Sequence, residues 1–223
     1  MSVLKKEILQ TTDGSNTLYV PELDETYHST NGALQESLHV FIKEGLQYLA
    51  LKSTSILEIG FGTGLNALTT FAHAAVSDLK INYSTIEAFP LDWDSVAKLK
   101  YHELEGLHGH AIAFKEMHTS VWEEARLISP SFSLKKLNLK LQNIAFDNEF
   151  DVIYFDAFAP QVQPELWTEE VLALLYKALK SKGVLVTYCA KGSVKRALKS
   201  VGFQLQSIPG PPGKREMSRA IKT

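Results

Sequence analysis

A glycine-rich stretch in the first third of the chain has the residue types and spacing of a ligand-binding turn. It reads Glu58-Ile59-Gly60-Phe61-Gly62-Thr63-Gly64-Leu65-Asn66, with a short apolar run before it and helically spaced apolar residues after it. A strand, a glycine turn and a helix in this order place backbone N–H groups and a helix N-terminus against an anionic ligand. Glycines allow the tight turn and let the ligand approach the backbone closely.

Two residues distinguish this stretch from a dinucleotide-binding fingerprint. Leu65 occupies the position of the last glycine of that fingerprint, and Glu58 lies two residues before the first glycine. A carboxylate at this position repels a pyrophosphate but can hold an ammonium group or an ordered water. The methionine part of S-adenosylmethionine carries both an ammonium and a carboxylate, so we predict a site for this methyl donor. A nicotinamide dinucleotide site and a glycine turn without a ligand are the alternatives.

Two acidic residues follow predicted buried strands. Glu87 comes directly after the apolar run 81–86 and 23 residues past Gly64, which places it to accept hydrogen bonds from ribose hydroxyls. Ala88 and Phe89 come next and are predicted to pack on an adenine ring. Asp156 follows the run 150–155, and open α/β sheets bind ligands at the carboxyl ends of such central strands.

Apolar periodicity predicts the elements that position these residues. A hairpin is predicted over residues 5–20 around the turn Asp13-Gly14, and a helix over 35–49. Residues 92–130 are predicted to be mostly helical. Further predictions are strands over 134–144, 150–155, 184–189, 203–208 and 217–221, and helices over 164–179 and 193–201, the last capped by Ser193. The alternation predicts a doubly wound, mostly parallel Rossmann-like sheet. We expect residues 1–50 to form a hairpin and lid helix packed on a domain of residues 51–223, which the predicted methyl-donor site would make a methyltransferase domain.

Composition limits the class of protein. A chain of 223 residues with 45% hydrophobic residues fits one α/β domain with a small extension. No apolar run approaches the roughly 20 residues of a membrane span, and residues 1–7 lack a signal-peptide core. The single cysteine, Cys189, excludes a disulfide within the chain and favours the cytoplasm. His28 and His39 lack metal-ligand spacing and are interpreted as polar surface residues, and no metal is expected.

The charge is distributed unevenly along the chain. Residues 177–223 contain eleven basic residues and one acidic residue, a net charge of +10, whereas the other 176 residues carry −12. This asymmetry predicts a C-terminal end that faces a polyanion. The alternative is a solvated surface with no partner.

Several motifs resemble the MnmC methyltransferase family from about residue 20 to the C-terminus. The matching motifs are the glycine stretch 58–66, Glu87-Ala88-Phe89-Pro90-Leu91, Asp156-Ala157-Phe158-Ala159-Pro160, Pro164-Glu165-Leu166-Trp167-Thr168 and Gly213-Lys214-Arg215-Glu216-Met217, with Tyr27-His28-Ser29, Asn31-Gly32 and Glu36 near the start. The pairing of the Asp-x-Phe-Ala-Pro and Gly-Lys-Arg-Glu-Met motifs is far more specific than the glycine turn.

The resemblance implies S-adenosylmethionine-dependent N-methylation of the 5-aminomethyl group of a modified wobble uridine, U34, in tRNA. Many members are fused to a flavin-dependent oxidase, and here only the transfer half is implied, so no FAD is expected. A separate enzyme would then supply the aminomethyl uridine. Donor binding is assigned to Glu58, Gly60, Phe61, Gly62, Gly64, Asn66, Glu87, Ala88, Phe89 and Asp156.

The acceptor side is assigned to the second group of motifs. Asp156 is the predicted catalytic residue, because it can orient the amine lone pair and take a proton. Phe158, Pro160 and Trp167 are assigned to the base, with stacking by Phe158 and Trp167 or a core position for Trp167 as the alternative. Lys214 and Arg215 are predicted to contact phosphates, with Glu216 bracing their loop.

One departure from the family concerns adenine. The family has a Gly-Asp pair near the third core strand, whereas residues 140–143 contain no acid, and Asn143 is the predicted substitute. This departure keeps a catalytically inactive tRNA-binding protein among the alternatives. Methylation of a small-molecule amine and a nicotinamide oxidoreductase are the others.

Overall fold

A small antiparallel sheet opens the part of the chain, residues 5–223, that the computed structural model describes. It contains β1 (Glu7–Gln10), β2 (Asn16–Val20) and β3 (Glu25–Thr26). β1 and β2 form the predicted hairpin around Asp13-Gly14, where Gly14 has a φ of 82°. Residues 1–4 lie outside the described residues. They are the first four residues of the predicted unit 1–50 and part of the stretch 1–7, which was predicted to lack a signal-peptide core.

The main sheet has eight strands within residues 5–223 and the order β10-β11-β9-β8-β4-β5-β7-β6. β11 is antiparallel to both of its neighbours, and β6 is antiparallel to β7, while the other six strands run in one direction. This confirms the predicted Rossmann-like, mostly parallel sheet. The strands are β4 (Ser53–Ile59), β5 (Lys80–Ile86), β6 (Ala125–Ser129), β7 (Phe132–Leu137), β8 (Phe150–Phe155), β9 (Leu179–Thr187), β10 (Gln204–Pro209) and β11 (Glu216–Ile221).

Helices cover both faces of this sheet. The N-terminal helical segment combines α1 (Ala33–Ser37), a π-helical stretch (Leu38–Leu46) and α2 (Gln47–Leu49). The remaining helices are α3 (Leu65–Ser77), α4 (Trp93–Ala97), α5 (Ala111–Thr119), α6 (Glu169–Ala178) and α7 (Gly192–Val201). Among residues 5–223, none of the helices combines the length and the apolarity needed to cross a membrane.

Several predicted elements are wrong in part, including the strand predicted over 184–189, which begins at Leu179, and the helix predicted over 164–179, whose α-helical part begins at Glu169. Residues 125–129, predicted to be helical, form the edge strand β6, because their hydrogen-bonding partner β7 lies in the next part of the chain. The strand predicted over 134–144 ends at Leu137, and a 3₁₀ turn follows at Leu141–Asn143. Helix α7 begins one residue early, and its N-cap is Lys191 instead of Ser193.

The N-terminal helical segment packs directly on the sheet. Phe41 contacts Tyr154 of β8 with ring centroids 5.0 Å apart. Gly45 is buried against β8 and β9, and a Cβ added there would lie 2.9 Å from Val186 Cγ2 and 3.3 Å from Tyr154 Cε1. The segment is therefore a packed layer over the sheet, and glycine permits its close approach.

Replacing Gly45 by Ala tests this packing. We expect a loss of about 1–3 kcal/mol in the free energy of unfolding, because the methyl group collides with a stiff valine and a tyrosine ring. Gly192→Ala is the matched control, since its Cβ would meet only Arg196 Nη1 at 3.4 Å. Equal urea midpoints for the two variants would contradict the close packing.

Candidate active site

A deep cavity lies at the carboxyl ends of β4, β5 and β8. Its volume is about 730 Å³, within the range of sites for small-molecule ligands. The wall is built by the segment 25–30, the glycine turn 60–63, the stretches 87–89, 139–142 and 156–159, and the side chains of Glu36, Tyr188 and Lys214. The cavity thus joins the predicted donor-binding motif to the predicted catalytic aspartate.

The glycine turn brings β4 close to the end of β8. A Cβ on Gly60 would lie 2.8 Å from the backbone oxygen of Asp156, so only glycine fits. Gly62 has a φ of 48°, and its N–H donates to Glu87 Oε2 at 3.0 Å. The Gly60 and Gly64 N–H groups donate to the carbonyls of Ile86 and Phe61. The three glycine N–H groups are therefore hydrogen-bonded within the protein. The role of Gly60 is to let the turn approach the backbone of Asp156 closely.

Glu87 is held at the end of β5 by backbone groups. Its Oε1 accepts from the Phe89 N–H at 2.8 Å, while its Oε2 accepts from Gly62. Each carboxylate oxygen can accept a further hydrogen bond. Glu87 therefore lines the cavity in a fixed orientation with acceptor capacity for hydroxyl groups.

Glu58 lies behind the turn and does not line the cavity. It is fully buried on the face of β4 beside Thr85, Tyr83 and Tyr154, and neither of its oxygens has a hydrogen-bond partner with ordinary geometry in the described chain. Burial raises the pKa of the Glu58 carboxyl well above its usual range. The prediction that Glu58 binds the donor directly does not fit this position.

Asp156 follows β8 and reaches the cavity. Its Oδ2 accepts from Asn66 Nδ2 at 2.7 Å, and Ser37 Oγ donates to Asn66 Oδ1 at 2.7 Å. Burial raises the pKa of Asp156 to about 7, with a further increase from Glu36 and decreases from the Asn66 bond and Lys214. Asp156 can therefore change its protonation state near neutral pH. Asn66, predicted to bind the donor, orients Asp156 instead.

Two hydrogen bonds fix the backbone after Asp156. The Tyr188 hydroxyl donates to the carbonyl of Ala157 at 2.8 Å, and the Trp167 indole N–H donates to the carbonyl of Phe158 at 2.9 Å. Trp167 is 6% exposed and packs on Phe155 with ring centroids 4.4 Å apart. The stacking predicted for Trp167 therefore does not fit, and the alternative core position does.

The loop between β10 and β11 contributes one residue to the cavity. Lys214 pairs with Glu36 Oε2 at 2.5 Å and lies 3.9 Å from the Tyr188 ring centroid. Arg215 is exposed outside the cavity, and Glu216 pairs with Lys195 Nζ at 2.6 Å. Lys214 thus faces a carboxylate of the same protein, which differs from the predicted phosphate contact.

Comparison with known proteins gives consistent relatives. Residues 113–223 match a family model described as S-adenosyl-L-methionine-dependent methyltransferase. With the relatives given next, this match identifies the chain as an S-adenosyl-L-methionine-dependent methyltransferase. The crystal structure of MnmC2 from Aquifex aeolicus is similar over 98% of this chain and 71% of that chain, with a TM-score of 0.76 and 27% identity.

Curated relatives carry the name that the motifs predicted. The tRNA 5-methylaminomethyl-2-thiouridine biosynthesis bifunctional protein MnmC of Cupriavidus necator is 31% identical over 216 residues, covering 91% of this chain and 32% of that protein. The protein of the same name from Cupriavidus metallidurans is 31% identical, with coverage of 92% and 32%. The chain spans about a third of the length of the curated relatives it matches. The predicted resemblance to the MnmC methyltransferase family is confirmed.

A wider structural neighbour shares only the fold. Spermidine synthase from Thermotoga maritima aligns over all of this chain and 70% of its own, with a TM-score of 0.57 and 16% identity. Within residues 5–223, no group of three or more histidine, cysteine, aspartate or glutamate side chains is arranged to hold a metal ion.

The cavity of this methyltransferase suits its donor, S-adenosyl-L-methionine. Glu87 lines the cavity with two fixed acceptor oxygens, and Ala88 and Phe89 lie beside it on the wall, so the predicted contacts to ribose and adenine fit this geometry. After the third core strand, residues 139–142 line the cavity. Asn143, the predicted substitute for the acid that faces adenine in the family, does not line it. The neighbouring amide side chain that does is Gln142.

The predicted site residues divide into two groups. Gly60, Phe61, Gly62, Glu87, Ala88, Phe89, Asp156, Phe158 and Lys214 line the cavity, whereas Glu58, Gly64, Asn66, Pro160, Trp167, Arg215 and Glu216 do not. Gly64 begins α3, and a Cβ there would collide with His118.

Sequence reasoning assigned no role to four of the cavity residues. Tyr27, His28, Glu36 and Tyr188 all line the wall. His28 is 8% exposed and bonds Thr63 Oγ1 at 2.7 Å, so its interpretation as a surface residue is wrong. Tyr27, His28 and Glu36 could have been found from the sequence, because they belong to the early motif that resembles the family. For Tyr188 the sequence indicates only that it lies in a predicted strand.

Substitution of Glu87 by Ala tests the donor side. We expect S-adenosylmethionine to bind about 1–3 kcal/mol more weakly, or about 5- to 150-fold, because its hydroxyl groups and the Gly62 N–H lose their acceptor. Titration calorimetry measures the change, with circular dichroism to monitor folding. Glu105→Ala, at an exposed loop position outside the cavity, is the control. Unchanged affinity in Glu87→Ala would remove Glu87 from the donor site.

Proposed function

We propose that this methyltransferase transfers a methyl group from S-adenosylmethionine to the 5-aminomethyl group of a modified wobble uridine, U34, in tRNA. The observation that carries the proposal is the placement of Asp156, with a pKa of about 7, at the cavity wall beside the glycine turn. The choice of methyl acceptor is supported by the names of the relatives, which refer to tRNA 5-methylaminomethyl-2-thiouridine biosynthesis.

Asp156 is the proposed proton acceptor. An alkylammonium in water has a pKa well above neutral, and only its neutral amine has a lone pair for attack. Ionised Asp156 takes one proton from the ammonium. The amine lone pair then attacks the methyl carbon, and the electron pair of the carbon–sulfur bond stays on sulfur. The product is a secondary ammonium, and the proton on Asp156 passes to solvent.

Alignment of the two substrates is expected to supply most of the rate. The bonds from Asn66 to Asp156, from Tyr188 to the Ala157 carbonyl and from Trp167 to the Phe158 carbonyl hold the acceptor wall in one conformation. Correct alignment of reacting groups is worth roughly 7–11 kcal/mol. Phe158 and Tyr27, whose rings meet edge to face at 5.2 Å, are the proposed contacts for the extruded base.

The RNA itself is proposed to lie on the exposed basic residues outside the cavity. Arg215 follows the cavity residue Lys214, and Arg196 is exposed on α7. These two exposed arginines would supply positive charge for phosphates without using the paired lysines. A tRNA substrate places the protein in the cytoplasm, and a separate enzyme would supply the aminomethyl uridine.

One observation favours a second candidate, methylation of a small-molecule amine. At least five of the eleven basic residues in 177–223 form ion pairs with acidic residues of the same chain: Lys177, Lys180, Lys195, Lys214 and Arg219. These pairs reduce the charge that is free to meet a polyanion.

A methyl-transfer assay tests the proposed reaction. We expect tRNA carrying 5-aminomethyl-2-thiouridine to gain one methyl group at U34, detected by mass analysis of nucleosides, with S-adenosylmethionine as donor.

In Asp156→Asn the single-turnover rate should fall about 10²–10⁴-fold, because the proton acceptor is removed. Donor affinity should change far less. In wild type the rate should rise with pH through about 7, where Asp156 loses its proton. Absence of methyl transfer to this tRNA would contradict the proposal.

The salt dependence of binding tests the RNA surface. Each phosphate contact contributes to the slope of log affinity against log salt, so Arg196→Ala with Arg215→Ala should weaken tRNA binding and flatten the slope by about one per lost contact. The exposed pair Lys98→Ala with Lys100→Ala, on the acidic part of the chain, is the control. A slope equal to wild type would favour the small-molecule amine.

A further inference from the structure

Two acidic side chains and one lysine share the acceptor end of the cavity. They are Glu36, Asp156 and Lys214. The Glu36 side chain is 5% exposed, and its Oε2 pairs with Lys214 Nζ at 2.5 Å while its Oε1 accepts from the Ser29 N–H at 3.1 Å. Lys214 is therefore the cation that compensates Glu36, whereas within residues 5–223 the Asp156 carboxylate has only the neutral Asn66 amide as a hydrogen-bond partner.

The ion pair also joins two distant segments of the chain. Glu36 belongs to α1, Lys214 belongs to the loop between β10 and β11, and 178 positions separate them. A second contact lies beside it, because Gly213 has a φ of 82° and a Cβ there would collide with the Asn31 side chain. The loop is thus fitted against the N-terminal segment, and Lys214 packs on Tyr188, whose hydroxyl holds the carbonyl after Asp156.

Charged and titratable groups from several segments surround Asp156 and influence its pKa. Glu36 raises the pKa of Asp156 and Lys214 lowers it, whereas burial is the largest cause of the raised value of about 7. Glu58 and Tyr83 interact with Asp156 from below, and Tyr188 from the end of β9. His28 interacts with Glu36 and Lys214, and burial lowers its pKa to about 4, so it is neutral near pH 7.

We propose that Glu36 and Lys214 are positioning residues for Asp156: their ion pair fixes the acceptor end of the cavity and sets the electrostatic environment in which Asp156 receives the amine. The pair is neutral as a unit, so ionised Asp156 is the one uncompensated charge of this trio. The acceptor therefore enters as an ammonium cation, which then gives its proton to Asp156. This last step rests on the proposed function, whereas the effect of the pair on Asp156 does not.

The titration of Asp156 tests the pair without any substrate. Protein labelled with ¹³C at the aspartate carboxyl carbons is titrated from pH 4 to 9 by NMR, and Asp156→Asn assigns the Asp156 signal. Glu36→Gln removes a negative charge, so the Asp156 midpoint should move to lower pH. Lys214→Met removes a positive charge, so the midpoint should move to higher pH.

Two further variants separate charge from packing. Lys214→Arg keeps the charge and should keep the midpoint of wild type. Lys43→Met removes an exposed lysine that pairs with Glu44 outside the cavity, and it should also leave the midpoint unchanged. The proposal is overturned if Glu36→Gln and Lys214→Met move the midpoint in the same direction, if neither moves it, or if Lys214→Arg shifts it as much as Lys214→Met.

Methyl transfer provides the second measurement. In single-turnover assays on tRNA with 5-aminomethyl-2-thiouridine, the rising limb of the pH–rate profile should shift to higher pH in Lys214→Met and to lower pH in Glu36→Gln, in parallel with the NMR midpoints. Profiles that stay in place while the midpoints move would overturn the positioning role. If wild type does not methylate this tRNA, the proposed function fails, but the NMR titration still decides the role of the pair.

Discussion

The close approach of the glycine turn to the end of β8 is the constraint on which the site depends. Gly60 lies where any Cβ would contact the Asp156 backbone oxygen, so the ends of the two neighbouring parallel strands can meet without an intervening side chain. β4 carries the donor turn, and β8 carries the aspartate. The approach therefore sets the distance between the donor side and the acceptor side of the cavity, and a longer residue at this point would separate them.

A layer of polar side chains under the cavity makes this arrangement costly to build. Glu58 is fully buried among Tyr83, Thr85 and Tyr154 without a well-formed hydrogen bond. A charged carboxylate there would cost several kcal/mol, and burial raises the pKa of Glu58, which favours its neutral form. Asp156 lines the cavity, and it has a hydrogen bond from Asn66 and a nearby lysine that lowers its pKa. The difference in burial therefore distinguishes Glu58, a structural carboxyl, from Asp156, the carboxyl that lines the cavity.

Local patterns were sufficient to predict the elements that turn residues and apolar periodicity mark in the sequence. The hairpin around Asp13-Gly14, the strand–turn–helix of residues 53–77 and the position of Asp156 after β8 all follow from turn residues and apolar periodicity. Strand β6 was missed because its exposed residues show no alternation and only pairing with β7 makes them a strand. Strand β7 contains Lys135 and Lys136, whose charges do not fit the apolar pattern of a buried strand. Lys136 is buried because its Nζ donates to the His118 carbonyl and lies 4.7 Å from the Trp122 ring centroid, contacts that no local pattern indicates.

The same limit explains the misassigned charges. A net charge of +10 over residues 177–223 describes a segment of sequence, but the acids that pair with Lys214 and Arg219 are Glu36 and Glu44, near the other end of the chain. Folding brings the acidic N-terminal helices onto the basic C-terminal strands, so part of the opposite charge is neutralised inside the protein. The partner of such a lysine is set by the sheet order, in which β11 lies between β9 and β10 beneath the N-terminal helical segment. Residues 25–36 consequently complete a cavity whose acceptor-side residues, Asp156 and Lys214, lie more than a hundred positions away, and the acceptor wall forms only when both ends of the chain are folded together.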